Sequence, residues 1–121
     1  MDTRTKILTS AAARQIAHPV VLATGFFDVL RAEHIRELHD LRQRAKLLVA
    51  VLPLSGELLD QRSRAELVAG LRMVDYVVVA EPADVDALIA SLKPVHMARL
   101  EAADARRAQQ LIDHVQRRQT L

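Results

Sequence analysis

Val20-Val21-Leu22-Ala23-Thr24-Gly25 is the stretch whose reading decides the fold. It is short, apolar and rich in β-branched residues. Pro19 precedes it, and Gly25 ends it. That combination reads as a buried strand. A run with no polar face belongs inside a sheet that is covered on both sides.

Working outward, two further runs repeat the pattern. Leu47 to Leu52 is apolar throughout and stops at Pro53. Tyr76-Val77-Val78-Val79-Ala80 has the most strand-like composition of the three. Val95 to Ala98 is a weaker fourth run after Lys93-Pro94. Between them lie amphipathic segments. Ala32 to Arg44 spaces Ile35, Leu38 and Leu41 at helical intervals. Ser63 caps an expected helix through Leu71, with Glu66 at capping-box spacing and Leu67, Val68 and Leu71 on its apolar stripe. Asp84 is the expected cap of a helix over 85–92. Residues 102–119 form a last helix with Ala105, Ala108, Leu111, Ile112 and Val115 on one side. Residues 9–16 suit an extra leading helix.

Strands that alternate with helices predict βαβ units. The expected fold is α/β: one Rossmann-like domain with a parallel sheet and helices on both faces. Residues 1–18 read as an N-terminal extension or helix, and 19–121 as the domain. A chain of 121 residues has room for one core. Aromatic residues are only 2%, so Val, Leu, Ile and Ala must build that core.

The 17 Lys and Arg nearly balance 15 Asp and Glu, which gives no field suited to nucleic acid. With no Cys, disulfides, thiolate metal sites and a Cys nucleophile are excluded. No window is apolar enough to span a membrane. The opening residues lack a signal-peptide core, and the expected location is the cytoplasm. His18, His39, His96 and His114 share no metal-ligand spacing, so no metal site is expected. The Arg106-Arg107 and Arg117-Arg118 pairs read as a solvated helix face.

In sheets of this kind, ligands bind beyond the carboxyl ends of the strands, where strand order reverses. The turn Thr24-Gly25-Phe26-Phe27-Asp28 sits there, just before a helix. The helix N-terminus favours an anion. Gly25 either lets backbone approach a ligand or simply ends the strand.

The segment Thr24-Gly25-Phe26-Phe27-Asp28-Val29-Leu30-Arg31-Ala32-Glu33-His34 resembles the signature of cytidylyltransferase-like nucleotidyltransferases, of the ADP-heptose synthase and glycerol-3-phosphate cytidylyltransferase type. That signature runs F-D-x-L and then H-x-G-H. The segment 63–78 resembles the family's E-R…R-x-V-D-x-V stretch, with Arg64 and Arg72 at the two arginine positions. Lys93-Pro94 resembles its K-P-D. The likeness spans about 19–98.

The resemblance implies attack of a sugar or alcohol phosphate on the α-phosphorus of a nucleoside triphosphate, ATP or CTP, with Mg2+ assisting. It implies His34 and Arg31 as the catalytic positions, and Thr24, Gly25, Phe26, Asp28, Arg64 and Arg72 as nucleotide-binding ones. It also implies a homodimer. Three features depart from the pattern. Arg31 replaces the first histidine, Glu33 replaces the glycine, and Leu52-Pro53-Leu54 replaces a polar strand end. The serine- and threonine-rich I-S-T-S segment has no counterpart, and the K-G-x-D stretch is replaced at 97–101. These departures predict impaired or lost transfer. The alternative is a non-catalytic nucleotide-binding or homodimeric partner-binding module.

Each residue also has a plainer role. His34 suits a helix-start hydrogen bond to backbone. Arg31 suits a pair with Glu33, and Asp28 a turn cap. Arg64 and Arg72 suit structural pairs with Glu66, Asp75 or Asp28.

Overall fold

The structure, a computed structural model, describes residues 2–28, 30–57, 59–102 and 113–117. Its elements are β1 (Ile7–Leu8), α1 (Ser10–Ala13), β2 (Val20–Gly25), α2 (Ala32–Arg42), β3 (Lys46–Val51), α3 (Gln61–Ala69), β4 (Tyr76–Val79), α4 (Pro82–Leu92) and β5 (His96–Arg99). A short 3-10 turn, Thr3–Lys6, precedes β1. The five strands form one parallel sheet in the order β1-β4-β3-β2-β5.

Alternation along the strands divides the core into two layers. Val21, Ala23, Leu47, Val49, Val51 and Val77 face α2 and α3, meeting Leu38, Leu41, Ala65, Val68 and Ala69. Val20, Leu22, Leu48, Ala50 and Val78 face α1 and α4, meeting Ala13, Val85, Leu88 and Leu92. Every residue of β2 is buried. Burying one such Val or Leu side chain is worth about 1.5–3 kcal/mol.

The connections follow from handedness. Right-handed crossovers through α2 and α3 carry the chain from β2 to β3 to β4 over one face. α4 then returns over the other face and places β5 beyond β2. Strand order therefore reverses between β2 and β5.

Several boundaries differ from the sequence expectation. β1 was not foreseen: two residues carry no periodic signal, and Ile7 and Leu8 form a strand only by pairing with Val77 and Val78. The leading helix shortens to Ser10–Ala13, capped by the Thr9 side chain on the Ala12 N–H at 3.1 Å. α3 starts earlier than expected, because Asp60 rather than Ser63 is its cap. Asp60 Oδ1 accepts from the Ser63 N–H at 2.7 Å. That bond is the first cause of a carboxyl pKa held below the usual range. Its share of stability is present at neutral pH and is lost as pH falls through the lowered value.

α3 turns Ala65, Val68 and Ala69 inward, and Leu67 is 49% exposed. α4 begins at Pro82, and Asp84 Oδ2 reaches back to accept from the Glu81 N–H at 3.0 Å. The expected last helix falls largely outside the described residues. Glu101, Ala102 and residues 113–117 are helical.

Leu38 and Leu67 give opposite expectations. Leu38→Ala empties a fully buried site and should cost about 2–5 kcal/mol in urea unfolding. Leu67→Ala should stay within about 0.5 kcal/mol of the parent.

Candidate functional site

The carboxyl ends of β2 and β5 meet at the reversal of strand order. The Thr24 carbonyl accepts from the Leu100 N–H at 2.8 Å, and the Gly25 carbonyl accepts from the Leu52 N–H at 3.0 Å. Thr24, Gly25 and Phe26 thus stand where the sheet topology opens a crevice. Thr24 is fully buried, and its Oγ1 has no hydrogen-bond partner among the described residues. A buried hydroxyl in that state costs free energy that a ligand or water recovers.

The chain then turns sharply. Phe27 has φ of 53°, a left-handed conformation that is unfavourable for a residue with a side chain. It holds because Phe27 is 1% exposed, with its ring in the core beneath α2. The ring centroid lies 5.8 Å from that of His34, at 57°. Asp28 Oδ1 accepts from the Leu59 N–H at 3.1 Å, which ties this turn to the loop after β3.

α2 starts at Ala32, with Arg31 as the N-cap. Arginine offers no acceptor to the first turn, so the cap works in the other direction. His34 Nδ1 accepts from the Arg31 backbone N–H at 3.1 Å. In the neutral ring this fixes the proton on Nε2. His34 itself is 1% exposed. Arg31 Nε lies 3.5 Å from Glu33 Oε2, with side chains 38% and 43% exposed. A pair this open to water contributes about 0–1 kcal/mol.

Arg64 is fully buried. Its Nη1 donates to the carbonyls of Phe26 at 2.7 Å and Leu52 at 2.8 Å. Nε donates to the Leu59 carbonyl at 3.1 Å, and Nη2 to Glu57 Oε2 at 2.7 Å. Its ion-pair partner is therefore Glu57, not Glu66, Asp75 or Asp28. Position 57 lies in a loop that no periodic pattern marks. Gln61 reinforces the same end of the sheet, donating to the carbonyls of Val51 and Ala80 at 2.9 and 3.2 Å.

Arg72 is not brought to this crevice. It lies between α3 and β4, at the amino ends of the strands, and is exposed. Asp75, at that same end, accepts from the Leu47 N–H at 2.8 Å and pairs with Arg42 at 2.7 Å. A separate cleft of about 320 Å³ lies between α2 and β5, with Leu41, Ala98 and Leu100 in its lining. None of the site residues singled out from the sequence lines it.

No group of three or more His, Cys, Asp or Glu gathers among the described residues. Asp28, Glu33 and Glu57 each hold a partner on this chain.

Comparison with known proteins agrees with the topology. The chain is 37% identical over 90 residues to the bifunctional protein HldE of Pelobacter propionicus, an alignment covering 66% of this chain and 18% of that protein. It is 35% identical over 94 residues to HldE of Trichlorobacter lovleyi, covering 69% of this chain and 19% of that protein. A solved structure, the lipopolysaccharide core biosynthesis protein of Thermoplasma volcanium, superposes with a TM-score of 0.60 at 27% identity. That match covers 67% of this chain and 73% of the other. The chain is homologous over about two thirds of its length to part of these HldE proteins, and its fold is of the cytidylyltransferase-like, nucleotidyltransferase type. It spans about a fifth of the length of the HldE proteins it matches. No family model matches it. No helix among the described residues is long and apolar enough to cross a membrane.

Within this cytidylyltransferase-like domain, the His34 geometry makes a direct expectation. Nitrogen NMR should show the Nδ1 of neutral His34 unprotonated and Nε2 protonated. A proton on Nδ1 would contradict the cap.

Proposed function

We propose that this chain keeps a nucleotide cleft of the cytidylyltransferase-like type, with impaired or lost nucleotidyl transfer. The reading rests on one observation. Arg31 and Arg64, two of the cations assigned to the crevice, each hold a carboxylate of the chain itself. Transfer to a sugar or alcohol phosphate needs cations that neutralise charge as pyrophosphate leaves. Arg64 donates inward to three carbonyls and Glu57. Arg31 shares its charge with Glu33 in the first turn of α2. A phosphate about 4 Å from Glu33 meets about 4 kcal/mol of repulsion at an effective dielectric of about 20.

Other features support retention of the cleft. The Thr24 hydroxyl, without a hydrogen-bond partner among the described residues, sits at the reversal of strand order. Arg31 remains half-exposed, and a phosphate competes with Glu33 for its guanidinium through bidentate bonds. His34 holds the turn through Nδ1 and carries its neutral-state proton on Nε2. ATP or CTP with Mg2+ is the candidate ligand, and the acceptor class is a sugar or alcohol phosphate. A non-catalytic binding module, or a homodimeric partner-binding one in the cytoplasm, is the second reading.

Titration calorimetry with ATP and CTP in Mg2+ tests this together with a pyrophosphate-release assay. Binding at about millimolar Kd without pyrophosphate release is expected. Sustained release with a phosphate acceptor contradicts the impairment. Absence of binding contradicts the cleft and leaves the partner-binding module. Arg31→His combined with Glu33→Gly should tighten nucleotide binding about tenfold or more. Unchanged affinity in that variant contradicts a damaged phosphate site.

A further inference from the structure

Arg64 and Glu57 are unequal partners. The arginine is fully buried and anchored to three carbonyls on three segments: Phe26 after β2, Leu52 after β3, and Leu59 before α3. Those bonds satisfy donors but leave the positive charge uncancelled. The carboxylate in direct contact with it is that of Glu57, at 2.7 Å, with Asp60 acting on it more weakly from farther off, and the Glu57 side chain is 33% exposed. Glu57 follows Ser55-Gly56, a turn in which Gly56 has φ of 71° and a Cβ would meet nothing within 4 Å. The carboxylate thus reaches a buried cation from an open loop tip.

We propose that Glu57 is an exchangeable latch on Arg64. The guanidinium is the fixed half. The carboxylate is the replaceable half, and an incoming phosphate oxyanion takes its place as the loop tip swings away. Removing one partner of a buried pair leaves the other charge uncompensated, so an arriving anion acts more strongly there than at a surface arginine. Latched, the pair closes the loop after β3 against the turn after β2 and keeps Arg64 from external anions. The inference goes beyond nucleotide binding and does not require it, because an inorganic oxyanion suffices to reveal the exchange.

The test uses Glu57→Gln, which keeps the shape and removes the charge. In low-salt buffer free of phosphate, its Tm should fall several degrees below that of the parent. Added inorganic phosphate or pyrophosphate should recover most of that loss while barely moving the parent. Calorimetry should show pyrophosphate binding Glu57→Gln about tenfold or more tightly than the parent. Glu66→Gln is the control. It makes the same change in net charge on α3, where Glu66 pairs with exposed Arg62 at 3.4 Å, and should show no such recovery. If Glu57→Gln gains nothing from phosphate, the latch is overturned. An equal gain by Glu66→Gln also overturns it, since net charge alone would then explain the effect. Loss of ATP or CTP binding in the parent leaves this result untouched, so the two proposals fail separately.

Discussion

The carboxyl end of this sheet depends on one buried cation. The loops after β2 and β3 carry carbonyl groups that leave the strand ladder and find no helix partner. Arg64 collects two of them on a single nitrogen and a third on Nε. Its planar fork suits the task, since one rigid group meets acceptors from separate segments. A lysine ammonium presents a compact charge and cannot match that spread. The left-handed Phe27 and the Asp28 bond to the Leu59 N–H are set in the same region and depend on the same registration.

That architecture has a chemical consequence. A residue that organises the walls of a crevice from within can meet an external anion only where its own carboxylate partner gives way. Where the family resemblance assigns Arg64 to a triphosphate, the geometry assigns its donors to backbone and to Glu57. Arg31 is similarly occupied, though weakly, by its neighbour Glu33. The crevice is therefore nearly neutral within itself. Under the proposed function, a polyanion would have to displace carboxylates before it met these cations, which would disfavour a charge-rich transition state more than simple occupancy by a ligand.

Much of this was legible in the residues. The three uniformly apolar runs marked central strands because parallel strands lose both faces to helices. The place of Gly25 at the reversal followed from that order. The Arg31–Glu33 pair was legible because its partners are two residues apart. What escaped shares a common cause: it was decided by distant contacts. β1 exists through pairing with β4. Leu67 looked like core because it is apolar and adjoins Val68, but the face that α3 turns to the sheet is that of Ala65, Val68 and Ala69. Arg72 shares the family spacing, but α3 runs back along the sheet and delivers it to the wrong end for the crevice. Glu57 had no signal, being one acid in a loop with no period.

The most direct test is amide hydrogen exchange on Arg64→Lys. With Arg64 as the clamp, the Leu59 amide should lose protection, along with its neighbours in the loop after β3. The Leu22 and Leu48 amides, in the centre of the sheet, should keep theirs. An Arg64→Lys protein whose Leu59 amide exchanges at the parental rate would show that something else holds the two loops together.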